Sequence, residues 1–352
     1  MLARSITENK SHHGEHYITR NRSEYFKMFY SAAGGGVIIA LMALNKIHIA
    51  SLGFSEFTTS FLAGLNYGLG FMLIHMLHCT VATKQPAMTA ASFAEQVDSN
   101  EGSKAVDNKL AKLLIDVCRS QSVAVFGNVS IAVLLAAGIA WGYAYTHGQP
   151  LLNEAVTAYQ LKSIEIFTQP TLWYAAIAGV WLFCSGIIAG FFDNRSDYLN
   201  LRQRLPFNPF LRKIMRPQPR RRLAGYIHKH YGSLMGNFIF GMLLGMTGYF
   251  GHLFGLPLDI RHVAFSSANL GYAAISGHAD IFTFMLGLAS VLAIGMVNLV
   301  VSFSLALTVA LRSRGTRLGS MRNLLKSFWS QVKANPLILL YPVQVNNKDN
   351  TK

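Results

Sequence analysis

Six stretches of mostly apolar residues set the hydrophobic pattern of this chain, each about the length that a bilayer core demands of a helix, roughly 20 residues. They fall near residues 28–45, 57–82, 123–145, 172–192, 233–255 and 281–311. All six are too uniformly apolar for the core helices of a soluble domain, so the expected fold class is all-α, a polytopic membrane helix bundle of about six transmembrane helices. A seventh run, VAFSSANLGYAAIS at 263–276, is too short to cross, and Arg261, His262, His278 and Asp280 flank it. It reads as a re-entrant or interfacial helix.

The polar stretches complete the organisation. A tail spans 1–27, a hairpin of two spans 28–83, and an arm 84–122 in which AMTAASFAEQV and NKLAKLLIDVC read as two short amphipathic helices. A second hairpin covers 123–192, a basic segment 193–232, the last two spans 233–311 and a tail 312–352. In that tail Leu318, Met321, Leu324, Leu325 and Phe328 recur at helical spacing beside Arg322 and Lys326, which suits a helix on a membrane surface. The first twenty-odd residues are polar, so no cleaved signal peptide is expected. No internal repeat is legible.

Composition agrees with the hydropathy, with 13% of residues charged against 51% hydrophobic. The formal charge of +15 would by itself suggest nucleic acid or an anionic surface. Its distribution is more informative. Under six spans, 28 of the 31 Lys and Arg fall on one side, leaving only Lys46, Lys162 and Arg261 on the other. That asymmetry places both termini in the cytoplasm. A seventh span at 263–276 would export the eight cations of the C-terminal tail.

Candidate chemistry is sparse. The segment between Asn194 and Gly232 carries Arg212, Lys213, Arg216, Arg220, Arg221 and Arg222 among Pro206, Pro209, Pro217 and Pro219. The prolines argue against a long helix there, and the cations suit membrane lipids with anionic headgroups or another phosphate. His75 and His78, one turn apart in HMLHC, are weak candidates for a metal site or proton relay, with no carboxylate partner in any span. Asn66, Asn128, Asn237 and Asn298 are the polar groups expected to bond between helices inside the membrane. Gly64/Gly68, Gly186/Gly190 and Gly241/Gly245 each form GxxxG and mark close helix packing. Cys79, Cys118 and Cys184 are too scattered for a disulfide framework. The sequence implies no cofactor, contains no nucleotide-binding or hydrolase motif, and leaves self-association open. No Asp or Glu lies well inside a span, which argues against proton- or sodium-coupled transport. A membrane scaffold or a role in small-molecule or lipid movement fits these features.

Three stretches carry a family resemblance: ARSITENKSHHGEHYITRNRSEYFKMFYSAAGGG at 3–36, ATKQPAMTAA at 82–91, and GNFIFGMLLGMTGYFGHLFGLPLDIRHVAFSSANLGYA at 236–273. The chain resembles the membrane-embedded C-terminal part of the bacterial site-specific recombinases of the Gcr type. The resemblance implies a bacterial inner-membrane protein and, by the family label, a membrane-anchored DNA-recombination factor. The residues give that activity little support. No histidine has Arg three positions on, as a tyrosine recombinase would require, and His16 and Arg20 have the wrong spacing.

Overall fold

The computed structural model describes residue 19 and residues 21–82, 104–314 and 321–342. Among the described residues the regular structure is helical, and six helices are long and apolar enough to cross a membrane. These are α1 (Arg22–Ser51), α2 (Glu56–Met76), α3 (Lys104–His147), α5 (Thr171–Tyr198), α6 (Pro217–Phe254) and α8 (Ile281–Arg314). Among the shorter helices are α4 (Glu154–Ile164), α7 (Val263–Ser276) and α9 (Met321–Ala334), and two brief ones, Leu201–Arg204 and Pro209–Ile214, lie in the basic segment.

Helix starts follow local capping chemistry. The Asn21 side chain accepts from Glu24 N and donates to the Glu24 carboxylate, Ser55 caps α2, and Asn153 caps α4. Asp280 accepts from Thr283 N at 2.7 Å ahead of α8, and its bonds to Thr283 hold its carboxyl below the usual carboxylate range. A depressed carboxyl stabilises the fold above its unfolded pKa, and that contribution is lost as pH falls through the folded one. Asp280→Asn should therefore keep the cap at neutral pH and flatten the acid limb of a melting-temperature profile, while Asp280→Ala should lower stability at neutral pH.

Four sequence expectations change. NKLAKLLIDVC is not a separate short helix but the start of α3, whose 44 residues span about 66 Å. Its Leu110, Leu113 and Val117 stripe is covered by Leu324 and Phe328 of α9, so that face of α9 meets protein rather than lipid. AMTAASFAEQV lies outside the described residues. The basic segment does feed a long helix, because Pro217 and Pro219 occupy the first turn of α6, where no intrahelical N–H bond is lost. The second span ends at Met76 rather than near residue 82, and His78 follows in a left-handed turn with φ 56.

The long helices form an open row in the order α3, α1, α2, α6, α5, α8, whose two ends are bridged by α7. α1 packs on α2 and α3, α2 on α6, α6 on α5 and α5 on α8. α7 lies inside, touching α1, α3, α4 and α8, with 12 of its 14 residues buried. Enclosure of that kind excludes a surface position for α7. The α2–α6 seam is a close approach: a Cβ on Gly241 would run into the Gly68 backbone, and one on Gly245 into Gly64. Two of the three GxxxG pairs thus face each other, while Gly186 and Gly190 are buried in α5.

Candidate functional site: a polar chamber around the buried helix

α7 is reached by a non-helical strand of chain running inward from Gly255, where α6 stops in a left-handed turn (φ 63). Its backbone groups find partners on neighbouring helices. The Trp173 indole donates to Pro257 O at 3.0 Å, and Arg261 N donates to Tyr174 O at 3.2 Å. Asn298, fully buried in α8, fixes the point where the helix begins. Its Nδ2 donates to Ala175 O at 2.7 Å and Arg261 O at 3.0 Å, and its Oδ1 accepts from Val263 N at 3.0 Å. His262 sits among the rings of Phe71, Phe240 and Phe265.

Where this strand meets α1, α2 and α4, a cavity of about 30 Å³ remains, lined by Lys46, Tyr67, Tyr159, Gln160, Arg261 and Asn269 among others. Arg261 is committed: it donates to Asp259 Oδ2 at 2.6 Å, Ile260 O at 2.7 Å and Ser163 O at 2.6 Å, and lies 5.3 Å from the Tyr174 ring. Lys46 is half-buried and makes no hydrogen bond or ion pair among the described residues. Gln160, 4% exposed, leaves its Oε1 unpaired, and Asn269 leaves its Oδ1 unpaired. A buried acceptor without a donor costs about 1–3 kcal/mol, so this constellation is complete only with something in it. The volume suits a few water molecules or a solute of a few heavy atoms.

The sequence-predicted polar residues are dispersed. Asn66 donates to Met42 O at 2.8 Å and accepts from Asn45, tying α2 to α1. Asn128 donates to Thr80 O at 3.0 Å and to Ala32 O, and accepts from Ala82 N at 2.6 Å. Asn237 is buried in α6. His75 meets His230 at 3.1 Å rather than His78, because the helix ends between them. Among the described residues no group of three His, Cys, Asp or Glu could hold a metal. Arg212, Lys213, Arg216, Arg221 and Arg222 are exposed and Arg220 half-buried, at the opposite end of the bundle from the chamber.

Lys46, Arg261, Tyr159 and Asn269 escaped the sequence reading. A signal existed: Lys46 and Arg261 are two of the only three cations on the charge-poor side. Tertiary packing alone shows that they converge.

Six long apolar helices packed about a short buried helix and a polar chamber define a polytopic bundle of the membrane-spanning type. The chain belongs to the site-specific recombinase family, whose model matches residues 1–342. No curated protein and no solved structure gives a significant match.

Proposed function

We propose that this is a multi-pass inner-membrane protein, with both termini cytoplasmic and α7 re-entrant from the outer side, that binds a small polar solute in the chamber and serves its movement. The observation that carries this reading is the chamber itself: two buried amide oxygens without partners beside the Lys46 side chain, inside a membrane bundle where unsatisfied polar groups are expensive. A pure scaffold would have no use for it. The cation distribution supports the orientation. In purified protein, at least one small polar solute from a panel of anions, cations and neutral compounds should raise thermal stability, by about 2.7 kcal/mol at 100 times its Kd. Lys46→Met should abolish the shift. Should no solute stabilise the wild type, the reading fails.

The family label favours a second reading, a membrane-anchored DNA-recombination factor, and the exposed basic segment is the observation on its side. Beside those cations, however, Phe207, Phe210 and Ile214 are each more than half exposed, and greasy side chains among cations suit a lipid surface better than a duplex. Anionic phospholipid added to detergent-purified protein should raise its melting temperature in a salt-dependent way. Arg220→Gln/Arg221→Gln/Arg222→Gln should weaken that effect, at roughly 1 kcal/mol per cation. Tight duplex binding that falls steeply with salt and disappears in the same triple variant would favour recombination instead.

A further inference from the structure

Residues 22–147 and 171–314 have the same internal plan. In each, the first and third helices run parallel. Gly127 of α3 meets Phe29 and Ala32 of α1, and Gly36 meets Asn128 and Ala132 further along both. In the second half Asn298 of α8 meets Ala175 of α5, and Val301 meets Gly179. The two middle helices, α2 and α6, run antiparallel to each other, since Gly64 lies on Gly245 and Gly68 on Gly241. One half is therefore upside down relative to the other.

Residue-level correspondences support the relation. Gly64 and Gly241, Gly68 and Gly245, His75 and His252, and His78 and Gly255 are all separated by the same 177 positions. The last pair ends each middle helix in a left-handed conformation, φ 56 and 63. In the third helices, Asn128 and Asn298 make the same three bonds. Each Nδ2 donates to a first-helix carbonyl, Ala32 or Ala175, and to a carbonyl beyond the middle helix, Thr80 or Arg261. Each Oδ1 then accepts the N–H two residues further on, Ala82 or Val263.

The halves differ in one respect. Lys46 lies 14 residues beyond Ala32, at the open chamber between α1 and α2. The equivalent residue, 14 beyond Ala175, is Ala189, and there α5 and α6 are closed by Gly232 and Gly236 against Ala189 and Ser185. Inverted repeats give a bundle two pseudo-equivalent conformations, in which the halves exchange their open and closed forms.

We infer that the chain is an alternating-access carrier built from two inverted three-helix repeats, caught open at the Lys46 end, and that its chamber takes a small oxyanion bearing a hydroxyl. This rests on the solute-binding reading above. Lys46, Arg261 and the start of α7 outweigh the single carboxylate of Asp259 at the chamber, so a negative solute is favoured. The unpaired Gln160 and Asn269 oxygens require a donor, which a hydroxyl on the same solute supplies. Bicarbonate and monobasic phosphate have both features, whereas chloride and formate lack the hydroxyl.

Both claims can be read from cysteine chemistry in nanodiscs, with Cys79, Cys118 and Cys184 replaced by Ser. The isosteric variants Ser163→Cys, in the chamber, and Ser185→Cys, at the closed counterpart, should each react with a soluble maleimide, the second more slowly. In the double variant, a bulky maleimide on the Ser163→Cys thiol wedges the chamber open and should abolish reaction at position 185. Bicarbonate or phosphate should change the two rates several-fold in opposite directions, an effect absent with chloride or formate and lost in Lys46→Met. If S185C never reacts, or reacts regardless of the wedge, alternating access is wrong, while the solute-binding reading stands or falls by its own thermal-shift panel. If the sites alternate but neither oxyanion shifts them, the assigned substrate class is wrong.

Discussion

Gly241→Leu should leave little folded protein, with a loss of at least about 3 kcal/mol in the wild-type background. Any Cβ at this position meets the Gly68 backbone on α2, and backbone cannot rotate out of the way as a flexible side chain would. The helices would have to separate along the whole seam, undoing the Phe71–Phe240 contact that crosses it at 5.1 Å. The same substitution at Gly138, whose Cβ would meet nothing within 4 Å, controls for insertion and expression and should be nearly neutral. Thermal melts of the two variants in one detergent make the comparison. Equal melting temperatures would mean that the seam contributes nothing to stability.

The second large effect is expected at Asn298. Replacement by Leu preserves bulk but takes the acceptor from Val263 N and a donor from the carbonyls of Ala175 and Arg261 around a fully buried position, at a cost of about 3 kcal/mol or more. Asn298→Asp should be no better, since it keeps the acceptor for Val263 N but turns an oxygen towards two carbonyls. Because Arg261 O is one of the stranded groups, either variant should also weaken solute binding after correction for the lower melting temperature. Asn128→Leu should destabilise by a similar amount with the chamber left intact, which separates loss of stability from loss of the site.

Much of the architecture is written in hydropathy. The six long helices are legible because lipid imposes length and apolarity on each span independently of its neighbours, and a 14-residue apolar run cannot satisfy that demand. Helix ends are less legible. The apolar window near 123 gives no hint that α3 continues back to Lys104, since that extension is amphipathic and its partner on α9 lies some 200 residues away. Prolines at 217 and 219 look like helix breakers until their first-turn position is known. The interior asparagines were found by their type, but their task of anchoring non-helical backbone depends on Thr80 and Arg261 being where they are. The chamber draws on residues 46, 67, 159–163 and 260–269, which only folding brings together. The repeat is not legible in the sequence because few positions are shared, and at most of the others one apolar residue serves as well as another.

The shortest of the six spans, α2, has 21 residues and reaches about 31 Å, barely the thickness of a hydrocarbon core, while its partner α6 runs to 38. Polar groups bracket it closely: Glu56 holds His252 at 2.6 Å at one end, and His75 holds His230 at the other. A thicker bilayer would draw one of these pairs into hydrocarbon, and a thinner one would relieve both. Acyl-chain length should thus act directly on the helix that forms one wall of the chamber, and melting temperatures in nanodiscs of graded chain length should fall as the bilayer thickens.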